Sequence, residues 1–273
     1  MNKFGSLYFE ADSFFHRMNP GVKLAIFIFW LIAVFMFLDI RVSIGLLTFG
    51  FILLRFAAIP YKVSRNLFIA VTSFNLINAL FILLITPDYG VTLTGNTKIL
   101  VSIAGFNLYK ATLMYILVIS LKYLSLLPLT IIFVFTTHPS KFAASLNQIG
   151  IPYKLAYTAS IIFRYFPDIQ QEFRNIANAQ AARGLSFGKD EPSKIKRIRN
   201  LFNISVPLIN SALARIDKIS NAMELRGFGK YKQRTWFNQT GILAYDWLTL
   251  AIATSIFIGL CLFRFKFSSG LYF

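Results

Sequence analysis

Two heptapeptides in this 273-residue chain end in arginine followed by glycine: Asn178-Ala179-Gln180-Ala181-Ala182-Arg183-Gly184 and Asn221-Ala222-Met223-Glu224-Leu225-Arg226-Gly227, with Asn, Ala, Arg and Gly at equal offsets. A guanidinium presents five N–H donors in a rigid fork, a shape suited to carboxylates and carbonyl groups in a partner's groove. The small side chains of Ala179, Ala182 and Ala222 would let such a partner come close. Taken singly, each end also resembles an ordinary helix terminus, because a glycine just past the last turn can adopt φ > 0 and a cation is stabilised at the negative pole of the helix. Two copies at the ends of two long helices favour docking for both.

No other constellation competes with these arginines. His16 and His138 are the only histidines, and neither has the Cys, His or carboxylate neighbours of a metal site or a catalytic triad, so both read as interfacial side chains. The single cysteine, Cys261, sits in an apolar run and supports neither a disulfide framework nor a thiolate metal site. Gly184-Leu185-Ser186-Phe187-Gly188-Lys189-Asp190 falls short of a phosphate-binding loop, with one residue too few between the glycines and Asp where Ser or Thr would hold magnesium. The acidic residues of 136–241 stand mostly beside Lys or Arg and read as solvated helix charges rather than an acid/base pair. The sequence predicts no catalytic residue, no metal site and no cofactor.

The elements that position the arginines follow from apolar steps of three and four. One helix is expected from about Lys154 to Arg183, with a seam of Ala159, Ile162, Phe166, Ile169, Phe173 and Ile176 whose frame continues to Arg183. A second is expected from about Lys194 to Arg226, with Ile195, Ile198, Phe202, Ser205, Ile209, Ala212, Ile216, Ile219 and Met223 leading in frame to Arg226. These arms would be about 45 and 50 Å long, and Pro167 and Pro207 inside them predict bends. A short helix, Lys141 to Gln148, precedes them and ends at Gly150-Ile151-Pro152.

The rest of the chain reads as lipid-embedded. The composition is 56% hydrophobic with 30 Phe, and 28 Lys and Arg stand against 11 Asp and Glu. Five apolar runs are candidate spans: Val22 to Leu38, Val42 to Ile59, Leu67 to Ile85, Ala111 to Phe135 and Ile242 to Phe263. The fold class is therefore an all-α membrane protein, with about five transmembrane helices and a cytoplasmic domain of one short and two long helices. The expected division is 1–135 for the N-terminal segment and four spans, 136–241 for the cytoplasmic helices, and 242–273 for the last span and an outer C-terminus. Basic residues alternate between rich and poor connections, which places the N-terminus and the 136–241 segment in the cytoplasm and the C-terminus outside. That segment holds 16 basic and 6 acidic residues; lipid phosphates and topology account for its charge without nucleic acid. Lys122, inside the fourth run, is read as snorkelling or pairing in preference to lining a substrate path. Asn75 and Asn78 share a helix face and suit interhelical hydrogen bonds, in preference to a ligand site. Val91 to Asn107 reads as short strands or a hairpin on the outer surface.

In order and spacing, several motifs resemble the transmembrane T component of energy-coupling factor transporters, the CbiQ/EcfT family, over nearly the whole chain. Ser13 to Leu24, S-F-F-H-R-M-N-P-G-V-K-L, is similar to its His-Arg-Leu-Asp-Pro-x-x-Lys signature, with Asn19 where Asp is usual. Thr136-Thr137-His138-Pro139, Ile149-Gly150-Ile151-Pro152 and Phe163-Arg164-Tyr165-Phe166-Pro167 resemble its cytoplasmic core. Ala182-Arg183-Gly184 matches its first Ala-Arg-Gly motif, and Leu225-Arg226-Gly227 takes the place of the second with Leu for Ala. The resemblance implies a non-enzymatic subunit of a bacterial or archaeal plasma membrane. It would join two ABC-type ATPases to a membrane-embedded, substrate-binding S component that takes up a vitamin or metal ion. Arg183 and Arg226 would insert into the ATPases, and the apolar seams would carry the motion to the S component, with Ile162, Phe166, Ile169, Phe173, Phe202, Ile209, Ile216 and Met223 contacting either the S component or the facing helix seam. The competing expectation is a self-sufficient secondary permease with a path near Lys122 and Asn75/Asn78.

Overall fold

The computed structural model describes residues 8–95, 97–103, 106–184, 194–231, 235–237 and 240–267. They form two compact units, Leu7–His138 with Thr240–Phe273, and Pro139–Gln239. The first carries the apolar helices of an all-α membrane protein. Its elements are α1 (Phe14–Arg17), α2 (Pro20–Met36), α3 (Ile40–Phe56), α4 (Tyr61–Ile85), α5 (Tyr89–Thr94), the antiparallel pair β1 (Ile99–Ile103) and β2 (Phe106–Tyr109), and α6 (Lys110–Thr136). After the second unit's α7 (Pro139–Gln148), α8 (Tyr153–Ala182) and α9 (Lys194–Leu225), the chain returns to it as α10 (Ala244–Phe267).

Three helices are long and apolar enough to cross a bilayer, over Ser64–Ile85, Lys110–Thr136 and Ala244–Lys266. The first two runs give α2 and α3, 17 residues each and about 25 Å long, shorter than a full span. α2, α3, α4 and α5 all pack on α6, and α10 packs on α2. The core joins Trp30, Ala33, Val34, Leu46, Ala57, Leu129 and Ile132. Trp30 donates its indole N–H to the Ser125 carbonyl at 3.0 Å, which satisfies the one polar atom of that ring. At Gly50 an added Cβ would sit 3.0 Å from Pro128 and 3.2 Å from the Trp30 ring, so the close approach of α3 to α6 uses the missing side chain.

Polar ties fix where the helices begin and end. Asn19 caps α2 through Oδ1, which accepts from the Gly21 N–H at 2.8 Å, and Pro20 occupies the first helical position, where no N–H is needed. Its Nδ2 donates to the Thr240 carbonyl at 2.9 Å, and its backbone N–H donates to Asp246 Oδ1 at 3.0 Å. Asp246 Oδ2 accepts from the Leu243 N–H at 2.9 Å, the reach-back of a capping box at the start of α10. Buried Lys23 donates to the carbonyl of Thr136 at 2.8 Å, tying α2 to the end of α6. Lys122 donates to the Phe35 carbonyl at 3.2 Å and lies 5.4 Å from the Phe35 ring centre, so it pairs with the C-terminal end of α2.

Two expectations are corrected here. The strand pattern begins later than Val91, because Tyr89–Thr94 forms a helical turn and a half closed by Gly95 at φ +69°, and the second strand runs on past Asn107 to Tyr109. That short helix lies flush on α6: a Cβ added at Gly90 would overlap the backbone of Ala111 and Thr112. Asn75 makes no interhelical bond; its Nδ2 donates to the Val71 carbonyl one turn back at 3.1 Å, and among the described residues Asn78 makes none either.

In the second unit α7 packs against the start of α8 through Ala143, Ala144, Ser145, Tyr153 and Ala156, all buried. α8 and α9 hold 30 and 32 residues and run on through Pro167 and Pro207.

Candidate functional site

The two arginine ends are built alike. Helix α9 closes with a Schellman motif, in which the Phe228 N–H reaches the Met223 carbonyl at 2.9 Å and the Gly227 N–H reaches the Glu224 carbonyl at 2.8 Å, with Gly227 at φ +68°. At α8 the Gly184 N–H reaches the Ala181 carbonyl at 2.9 Å with φ +87°, the inner bond of the same motif. Each glycine sits where an L side chain is disfavoured, and nothing lies within 4 Å of a Cβ added there, so the constraint is conformational.

Arg183, Gly184 and Arg226 are exposed, as are Asn178, Ala179, Ala182, Asn221, Ala222 and Leu225, the last at 90%; Gly227 is half-buried. A third helix separates capping from recognition. α7 ends with the same pair of bonds, Ile151 N–H to Leu146 at 3.1 Å and Gly150 N–H to Asn147 at 3.2 Å, with Gly150 at φ +97°. Its capping position is occupied by Ile149, so this fold closes a helix through glycine without an arginine in front of it. The guanidinium groups of Arg183 and Arg226 are therefore surplus to the cap.

The apolar seams stay open over much of their length. Ile162, Phe166, Ile169 and Phe173 on α8, and Phe202, Ile209 and Ile216 on α9, are all exposed, with Met223 half-buried. The side chains of Ile195 and Ile198 lie outside the described residues, as do residues 185–190 of the loop that falls short of a phosphate-binding motif. Polar contacts tie the two arms: Arg215 Nη2 donates to Glu172 Oε2 at 2.9 Å, its Nη1 lies 3.8 Å from Asp168, and the Ser211 hydroxyl donates to the Glu172 carboxylate. The guanidinium also lies 5.7 Å from the Tyr165 ring centre. Asp168 and Glu172 are thus not simply solvated charges. Their spacing of four, matched by Ser211 and Arg215, was the available signal.

Sequence patterns also missed what seats the second end. Phe228, just past Gly227, packs on Tyr153 and Tyr157 at centroid distances of 5.6 and 4.9 Å, and Tyr157 packs on Trp236 at 6.2 Å. Trp236 donates to the Asn147 side-chain carbonyl at 3.2 Å. Tyr153 and Tyr157 precede the first seam and Phe228 and Trp236 follow the second, so no periodicity announces these rings.

Residues 11–236 match the CbiQ family, described as a cobalt transport protein, and the chain belongs to that family. It is similar to the energy-coupling factor transporter transmembrane protein EcfT of Bacillus selenitireducens, 28% identical over 264 residues that cover 90% of this chain and 93% of the relative. The EcfT proteins of Brevibacillus brevis, 28% identical over 88% of this chain and 89% of the relative, and of Bacillus subtilis, 26% identical over 89% and 94%, are similar in the same way.

Proposed function

We propose that this chain is the transmembrane coupling subunit of an energy-coupling factor importer. Two ABC-type ATPase subunits receive Arg183 and Arg226, each docking as a donor fork on a glycine-closed helix end supported by Asn178, Ala179 and Ala182 or by Asn221, Ala222 and Leu225. A membrane-embedded S component carries the substrate, a vitamin or a metal ion, and lies along the stripes of Ile162, Phe166, Ile169, Phe173, Phe202, Ile209, Ile216 and Met223. ATP-driven closure of the ATPase pair changes the separation of the two ends, and the arms pass that displacement to the S component. The chain itself catalyses nothing. Its N-terminus and arms face the cytoplasm, and its C-terminus faces outward.

One observation carries this proposal: two exposed arginines stand at helix ends whose caps do not require them, since Gly150 closes α7 behind Ile149. An uptake assay in liposomes, with the chain co-purified with its ATPases, tests it. Arg183→Ala combined with Arg226→Ala is expected to abolish ATP-dependent uptake while the chain remains folded. Full uptake by the double variant, or uptake by the chain alone driven by an ion gradient, would overturn it.

A further inference from the structure

We propose that the cleft between α3 and α4 binds the headgroup of an anionic phospholipid, with Arg55 and Arg65 holding its phosphate. α3 and α4 each pack on α6 and leave between them a cavity of about 810 Å³. Arg55 lies in the last turn of α3 and Arg65 in the second turn of α4, so the two arginines line one cleft from different helices, together with Tyr61 and Ser64. One turn further into each helix stand Phe51 and Phe68, stacked at 5.1 Å and lining the same cleft, an apolar wall of the kind an acyl chain would lie along.

Charge selects the occupant. No Asp or Glu occurs between Asp39 and Asp88, and no carboxylate lines the cleft. Neither Arg55 nor Arg65 makes a hydrogen bond or ion pair with another described residue, and both are exposed. Orientation by basic residues needs only charge near a helix end; it does not need two arginines lining one cavity. A forked donor pair above stacked aromatic rings matches a phosphodiester joined to a hydrocarbon chain, and basic clefts between membrane helices are suited to such headgroups. Free phosphate has no use for the rings.

Native mass spectrometry of the full-length chain in neutral detergent, titrated with phosphatidylglycerol or phosphatidylcholine, tests the assignment. The wild-type chain is expected to retain phosphatidylglycerol preferentially, and each arginine removed is expected to weaken that binding about fivefold. Arg55→Ala with Arg65→Ala should therefore lose the preference, Arg55→Lys with Arg65→Lys should keep part of it, and Arg41→Ala at the opposite end of α3 should leave it intact. Thermal unfolding in phosphatidylcholine micelles checks that the variants fold, with Arg55→Gln and Arg65→Gln as a second neutral pair. An undiminished preference in folded neutral variants would overturn the proposal. So would equal competition by inorganic phosphate, or cross-linking of a partner's membrane helix to Phe51 or Phe68 in the assembled transporter.

Discussion

Glu172 and Arg215 meet at 2.9 Å, and each stands eleven positions before the arginine at the end of its own helix, Arg183 and Arg226. About 16 Å of helix separates the contact from either end, and because Phe228 past the end of α9 packs on Tyr153 and Tyr157 at the start of α8, the two ends lie on opposite sides of it.

The ion pair is about one-third exposed on the arginine side and less on the glutamate side, so its net strength is modest. Thermal unfolding of Glu172→Ala, Arg215→Ala and the double variant should give a coupling energy of about 1 kcal/mol. The exchanged pair, Glu172→Arg with Arg215→Glu, should unfold closer to the wild type than either single reversal. Strict additivity of the two alanine variants would show that the pair does not join the arms.

Gly184→Ala and Gly227→Ala should each cost about 1 kcal/mol, since open space surrounds both positions and only the positive φ resists a side chain. Asparagine tolerates that conformation better, so Gly227→Asn is expected to recover part of the loss. Chemical denaturation of the detergent-solubilised chain measures both. Gly150→Ala should lose a similar amount and, unlike the other two, leave ATP-dependent uptake unchanged at temperatures where the variant is folded.

Asn19→Asp is expected to destabilise the chain by about 2 to 3 kcal/mol. The substitution removes the Nδ2 donor that satisfies the Thr240 carbonyl and sets a second carboxyl group beside Asp246, whose Oδ1 already accepts from the Asn19 backbone. The aspartate variant would match the family signature more closely than the native chain does, which makes a drop in melting temperature an informative result. Unchanged stability would mean that the tie between the starts of α2 and α10 carries no weight.

His16 sits partly buried with Nε2–H donating to the Phe9 carbonyl at 2.9 Å, leaving Nδ1 to accept from the Ser13 hydroxyl at 2.7 Å. Desolvation lowers its pKa below 6.5, helped by the charge of Lys23 and opposed by the Phe9 carbonyl and Asp12. The folded chain therefore binds fewer protons than the unfolded chain between the two pKa values, so His16 contributes stability fully above about pH 6.5 and loses it as pH falls below that. Melting curves between about pH 7.5 and 5.5 should show a decline that is smaller in His16→Gln. An equal decline in both would assign the pH dependence to other groups.

The helices were legible wherever one apolar period ran long enough. The seam ending at Met223 located the C-terminus of α9 to within a residue, because one face repeats every three or four positions and a glycine closes it. The short α5 was not legible, since six residues of Tyr, Val, Leu, Thr and Gly suit a strand equally well, and only the bare Gly90 backbone against α6 decides for helix. Contacts between distant positions were also hidden. Asn19 and Asp246 lie 227 residues apart, and Glu172 and Arg215 lie 43 apart. Nothing in the local pattern around either partner specifies the other. The exposed stripes belong to the same class: periodicity identified the apolar faces of α8 and α9 but not how much of them would stay uncovered.

Those stripes have a cellular consequence. They belong to Pro139–Gln239, whereas the three membrane-length helices among the described residues belong to the other unit. A copy synthesised in surplus of whatever covers them would expose phenylalanine and isoleucine in rows, the kind of surface that chaperones hold and quality-control proteases degrade. A copy expressed without a protein that covers the stripes is then expected to be shorter-lived than a covered one.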